Sequence, residues 1–329
     1  MTKNALDSLR DVTKIVVDSS NFKSIAKFSS IDATTNPSLL IKSIGDEDYK
    51  GFIKQVSYKY PNLCNKDIAR EVIISFAEEI LKVITGRVSI EVDPSVAFNS
   101  QRTELEALKI IESCSARNIS LKRVLIKIPA TWEGILAAKK LEKKNIGCNL
   151  TLLFSQVQAV ACADAGVKMI SPFVGRISDW WKKQGLQWGA ISDDPGVKFV
   201  RSVYFHLKKK KYSTEVMAAS FRSIDQIFSL AGLDLLTISP SLLSTMMQLP
   251  PQKDLTSWIN NFDEQNPHLS ELNQSLITNQ INFLNVLAND EMANEKLIEG
   301  INIFKVDNQK LVTAVESENQ ISSQGSEPL

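Results

Sequence analysis

Among the residues able to do chemistry, the one set most unusually is a lysine inside an apolar run. In LIKIPATWEG, residues 125–134, alternation puts Leu125, Lys127 and Pro129 on one face of a strand, with Val124, Ile126 and Ile128 on the other. Burying an ammonium among apolar side chains is costly, and burial favours the free amine. A free amine in a closed pocket is the nucleophile of Schiff-base chemistry. The plainer reading is a lysine that lays its stem along apolar surface and carries its charge to a rim.

Other polar residues fall into the same pattern. Ser89 with Glu91, Asn149 with Thr151, and Ser220 with Arg222 are spaced two apart, while Asp18 and Asn36 close two further runs. Spacing by two on a strand means one shared face. Taken singly, each reads as a structural hydrogen-bonding group. Taken together, they are more polar groups than a purely structural core would carry at its strand ends. Arg176 and Arg222 suit a phosphate, since a guanidinium offers a planar fork of donors; a pair of rim salt bridges fits them equally. The chain has 2 histidines. His206 lies in a helical pattern and His268 follows Pro267. Neither sits in a catalytic setting, so acid–base work falls to carboxylates and lysine.

The elements that must position these residues alternate. Strand patterns run over 14–18, 31–38, 87–93, about 124–129, 147–154, 168–176, 215–222 and 234–240. Between them come helical patterns, among them 65–85, 103–116, 131–144 and one capped by Ser155 that stops at Gly166. Two helices are expected from Ser178 and Pro195, with Trp180 and Trp181 packing the first onto the sheet. Eight such units in about 230 residues imply a single α/β domain, a (β/α)8 TIM-type barrel with additional C-terminal helices. The runner-up is a doubly wound open sheet, which would want a glycine-rich first turn, and none follows 14–18. The domain is expected over 1–316. Leu297, Ile301 and Phe304 read as core contacts of a late helix. Residues 317–329 are polar and expected to be disordered.

Composition narrows the partners. The chain has 329 residues, is 43% hydrophobic and carries a formal net charge of +1, which argues against nucleic acid as a partner. The run Lys208–Lys211 reads as a solvated helix end. The 4 cysteines are scattered, with neither metal-ligand spacing nor disulfide density, which suggests a reducing, cytoplasmic setting. No signal-peptide run opens the sequence and no stretch is long enough to span a bilayer, so no membrane role is expected.

Several motifs, in order, resemble the transaldolase family: VVDSS around Asp18, DATTNPSLL from Asp32, RVSIEVD around Glu91, LIKIPATWEG around Lys127, GCNLTLLFS from Gly147, ISPFVGRISDW from Ile170, ASFRS from Ala219 and DEMANEKLIEGINIF from Asp290. The likeness runs from about residue 9 to 315 and is closer to the long branch of the family than to the short, fructose-6-phosphate aldolase-like branch. It implies an (α/β)8 barrel that moves a dihydroxyacetone unit from a ketose phosphate to an aldose phosphate in the non-oxidative pentose phosphate pathway. No metal or organic cofactor is implied, and many members are homodimers. By motif, Lys127 would be the Schiff-base lysine and Asp18 the acid that takes the C4 hydroxyl proton. Glu91 would shuttle protons through a water also held by Thr151. Thr34, Asn36, Asn149 and Ser171 would hold the lysine, the water and substrate hydroxyls. Arg176, Ser220 and Arg222 would bind phosphate. Phe173 matches an aromatic position where tyrosine accompanies simple aldolase activity. Two other outcomes remain open: an aldolase releasing dihydroxyacetone, and a silent sugar-phosphate-binding barrel.

Overall fold

In the computed structural model, which describes residues 3–49, 51–260 and 279–324, each β-rich run forms one strand of a single parallel sheet. The strands are β1 (Lys14–Asp18), β2 (Asp32–Thr34), β3 (Val88–Glu91), β4 (Val124–Pro129), β5 (Cys148–Leu153), β6 (Met169–Pro172), β7 (Glu215–Ala218) and β8 (Leu235–Ile238). They pair in chain order, and β8 returns to β1 through pairs such as Lys14↔Leu235 and Val17↔Ile238. That closure makes a (β/α)8 barrel and rules out the open sheet. No helix among the described residues is long and apolar enough to cross a membrane.

Alternation decides what fills the barrel. Val16, Leu125, Met169, Met217 and Leu235 form their own buried cluster, an apolar floor inside the ring of strands. Two residues further along the same strands stand Asp18, Lys127, Ser171, Ala219 and Thr237. One step toward the C-terminal ends therefore turns the interior mostly polar. The outward faces, including Val17, Ile90, Ile126, Leu150 and Leu236, are buried in the main core with the surrounding helices. Helices start where the sequence offers caps. Asn36 accepts from the Leu39 N–H ahead of Pro37–Ile44, Thr131 from the Gly134 N–H ahead of Trp132–Lys143, and Ser155 forms a capping box with Gln158.

Several expected boundaries move. The strand expected to reach residue 38 stops at Thr34. The one expected over 168–176 stops at Pro172, and the next helix is Gly175–Lys183, so Arg176 sits in a first helical turn. The backbone explains this: the N–H groups of Val174 and Gly175 donate to the carbonyls of Ala219 and Ser220, and the chain leaves the sheet. The strand expected over 215–222 stops at Ala218, because Ser220 takes a left-handed conformation, φ +65°. Ser220 and Arg222 therefore do not share a strand face. Trp180 is buried, whereas Trp181 turns outward.

The C-terminal helix, Glu291–Gln324, has 34 residues, a length of about 50 Å at the usual helical rise. It passes over β5 and lies along helices Pro37–Ile44 and Asn65–Val83. Leu311 and Val315 join Leu40, Val72 and Phe76 in a second core. The break expected at 316 does not occur. Asn319 Nδ2 donates to Asn65 Oδ1 at 2.9 Å, which continues the docking past Val315. Residues 261–278, part of the expected helical stretch and home of His268, and residues 325–329 lie outside the described residues.

Candidate active site

Lys127 is the fourth residue of a six-residue strand whose side chains are all buried. The β3–β4 register sets Glu91 beside it. Lys127 Nζ lies 3.0 Å from Glu91 Oε2 and donates to the Thr35 carbonyl at 2.9 Å. Both residues are 5% exposed, so the lysine does not reach outward to a rim. Nor is it surrounded by apolar groups alone, as its own strand suggests: the neighbouring strand brings a carboxylate to it. Burial pushes the Glu91 carboxyl above its ordinary range, opposed mainly by Lys127. The pair is within hydrogen-bond distance but poorly aligned, so the attraction is mainly one of charge. Neither Glu91 oxygen has a hydrogen-bond partner among the described residues, and the same is true of Thr151 Oγ1.

Asp18 ends β1 and lines the cavity above the floor. Protein surrounds it on its other sides, and this desolvation raises its carboxyl despite the pull of Lys127, Thr34 and Arg176. Thr34 Oγ1 donates to Asp18 Oδ1 at 2.9 Å and lies 2.6 Å from Thr237 Oγ1. A hydroxyl has one proton, so Thr237 is the donor in the second contact. Asp18 is thus fixed by a two-hydroxyl relay from β2 and β8. Asn36 caps its helix with Oδ1 and still lines the cavity.

On β5, Asn149 is fully buried beneath the cavity wall rather than lining it. Its Nδ2 donates to Ser89 Oγ at 3.1 Å, and Ser171 Oγ donates to its Oδ1 at 2.7 Å. In this arrangement Asn149 ties together residues from three strands, and Ser171 faces the cavity. Thr151 sits within an irregularity in the β5–β6 pairing, beside Leu152, which is held at φ +53°. A non-glycine residue there is strained by about 1–2 kcal/mol. Gln158 offsets that, donating to the Leu152 and Ala130 carbonyls and accepting from the Phe154 and Ser155 N–H groups.

The two arginines differ. Arg222 makes the salt bridge, with Nη2 2.8 Å from Asp179 Oδ2, while Nη1 donates to Ser220 Oγ at 3.2 Å. Arg176 is half-buried and makes none among the described residues; its Nη1 is buried and has no hydrogen-bond partner there. It lies instead between two rings, 5.1 Å from Phe173 and 5.5 Å from Phe304. Burial and the neighbouring Arg222 pull its pKa down. Close packing of this corner depends on Gly175, where an added Cβ would meet the Ser220 carbonyl oxygen at 2.2 Å.

One cavity of about 200 Å³ collects ten of the twelve expected residues: Asp18, Thr34, Asn36, Lys127, Thr151, Ser171, Phe173, Arg176, Ser220 and Arg222. Glu91 and Asn149 lie behind its wall. Sequence reasoning missed Thr237, Ser239 and Phe304, which also line it. Thr237 carried a usable signal, being two residues beyond the floor residue Leu235. Phe304 carried none, because its spacing matches an ordinary core stripe. Among the described residues no three His, Cys, Asp or Glu side chains gather as a metal site.

Fold and mouth together define a (β/α)8 barrel with a buried lysine–carboxylate pair at the C-terminal ends of its strands. The chain belongs to the transaldolase/fructose-6-phosphate aldolase family, whose profile matches residues 15–315. That family is enzymatic, with transaldolase or fructose-6-phosphate aldolase activity. Two solved structures are distantly similar. One is a candidate dehydratase from Salmonella enterica serovar Typhimurium, 8% identical, TM-score 0.42, matched over 71% of this chain and 58% of its own length. The other is a candidate lyase/mutase from Burkholderia cenocepacia, 10% identical, TM-score 0.42, matched over 81% of this chain and 94% of its own. Likenesses this remote carry no information about activity.

Proposed function

We propose that this protein is a transaldolase, transferring a dihydroxyacetone unit from sedoheptulose 7-phosphate or fructose 6-phosphate to glyceraldehyde 3-phosphate or erythrose 4-phosphate. The observation that carries the reading is the Lys127–Glu91 pair, buried at a cavity that also holds Asp18 and Arg176. Pure binding needs no amine nucleophile, which disfavours a silent barrel.

Each step draws on one of these groups. Glu91, made more basic by burial, takes a proton from Lys127, and the amine adds to the ketone carbon C2. The carbinolamine loses water, with Glu91 and a water shared with Thr151 moving the protons; both residues have buried oxygens without a hydrogen-bond partner among the described residues. The protonated imine then withdraws electrons as the C3–C4 bond breaks, and Asp18 takes the proton of the C4 hydroxyl. The aldehyde leaves, an acceptor aldose enters, and the same groups run in reverse. Arg176, with Ser220 and Arg222, faces the phosphate.

Phe173 supports transfer over release of free dihydroxyacetone, given the tyrosine that the resemblance associates with the aldolase outcome. The test is to incubate the protein with fructose 6-phosphate, reduce with borohydride and map the adduct by mass spectrometry. A three-carbon adduct on Lys127 is expected, and an unmodified Lys127 removes the mechanism. Omitting the acceptor separates the two outcomes: steady turnover without it means an aldolase.

A further inference from the structure

The C-terminal helix contributes to the cavity a residue to which nothing above assigns a role. Phe304 is 1% exposed, yet lines the cavity. Its ring lies 5.5 Å from the Arg176 guanidinium, and Phe173 lies 5.1 Å from the same group. Among the described residues Arg176 has neither a salt-bridge partner nor a hydrogen bond at its buried Nη1. Glu299, Glu91 and Asp18 act on it only through space. A half-buried guanidinium with one nitrogen fully enclosed is normally held by a carboxylate. A carboxylate would also compete with an incoming anion for the same N–H groups. An aromatic face attracts the cation without occupying those donors. Gly300, one helical turn earlier, makes room: a Cβ there would sit 3.2 Å from Arg176 Nη1 and 2.6 Å from Leu152 Cδ2.

We propose that Phe304 is a positioning residue for the substrate phosphate, its ring holding the Arg176 guanidinium in place of a counter-ion so that the N–H fork stays open. The proposal rests on the reading of Arg176 as a phosphate ligand. Lys127 also lies near this ring, at 5.8 Å, but it keeps Glu91 and the Thr35 carbonyl. The effect of removing the ring should therefore fall on phosphate recognition rather than on the covalent step.

The experiment measures kcat and KM for fructose 6-phosphate, and the inhibition constant of inorganic phosphate, in the full chain. Phe304→Leu should raise both KM and the inhibition constant about tenfold, with kcat changed by less than about threefold. Phe304→Tyr, which keeps the aromatic face, should restore both. An unchanged phosphate constant in Phe304→Leu, or a tyrosine variant as poor as the leucine, overturns the proposal, because packing alone would then account for the ring. If the leucine variant does not fold, Gly300→Ala is the second probe. It should raise the phosphate constant by crowding Nη1, and an unchanged constant counts against the proposal. Arg176→Ala separates the two ideas. If it weakens phosphate inhibition while Phe304→Leu does not, only the role of Phe304 falls; if it does not, the phosphate reading itself fails.

Discussion

At one end of the cavity, Lys127 has its counter-charge already in place: Glu91 Oε2 at 3.0 Å, with the Thr35 carbonyl on its other side. At the other end, Arg176 has two aromatic rings and no anion in contact among the described residues. Both cations are largely withdrawn from water, Lys127 buried and Arg176 half-buried with its Nη1 enclosed. What differs is where compensation comes from. The lysine end is balanced internally, which suits a group that must exchange protons with its neighbour through a catalytic cycle. The arginine end has only aromatic faces in contact, with Glu299, Glu91 and Asp18 acting through space, which suits a group whose anion arrives with the ligand. Arg222, paired with Asp179 and much more exposed, stands between these extremes.

The comparison can be broken most severely at the lysine. Lys127→Ala should abolish transfer and leave no adduct after borohydride reduction; residual trapping at another lysine would move the chemistry elsewhere. Asp18→Asn should lower kcat by about 10²–10⁴ through loss of the proton acceptor, while Lys127 is still trapped. Equal loss of trapping in both variants would contradict the separate roles.

At the arginine end the effects should be smaller and should appear in binding. Arg176→Ala should raise KM for phosphorylated donors roughly 10- to 100-fold, as expected for one or two charged hydrogen bonds. Arg222→Ala should raise it less, because that guanidinium already has a carboxylate partner and is partly solvated. A larger loss at Arg222 than at Arg176 would reverse the ordering drawn here.

The smallest effect is on stability. The Asp18 carboxyl titrates above its ordinary value in the folded state. The folded protein then holds that proton more tightly than the unfolded chain does. Stability from this group is therefore full in acid and is lost as pH rises from the ordinary carboxylate range through the raised value. Asp18→Asn removes that loss and keeps an acceptor for Thr34. Near neutrality the variant should melt higher than the parent by roughly 2 °C, and the gap should close as pH falls. A gap that widens in acid would mean that burial is not what governs this carboxyl.

Much of this was readable from the chain. The order of eight strands, the inward face of β4 and the helix cap at Ser155 follow from periodicity and local hydrogen bonding. Where the reading failed, the backbone left its expected path for reasons set by other strands. Ser220 turns left-handed, with its carbonyl accepting from Gly175, and Arg176 moves from a strand to a helix. The helix past residue 316 was missed because its polar composition resembles a tail, while Leu311, Val315 and Asn319 dock it on helices much earlier in the chain.

By itself the sequence determined which side chains share a face, since alternation is a property of the extended backbone and needs no partner. It also determined that a lysine, two acids and two arginines would stand near the ends of strands. The tertiary structure decided which of them meet. Register between β3 and β4 set Glu91 against Lys127, and the path of the last helix set Phe304 against Arg176. Contacts between distant segments depend on how elements pack, and no local pattern in the chain encodes that.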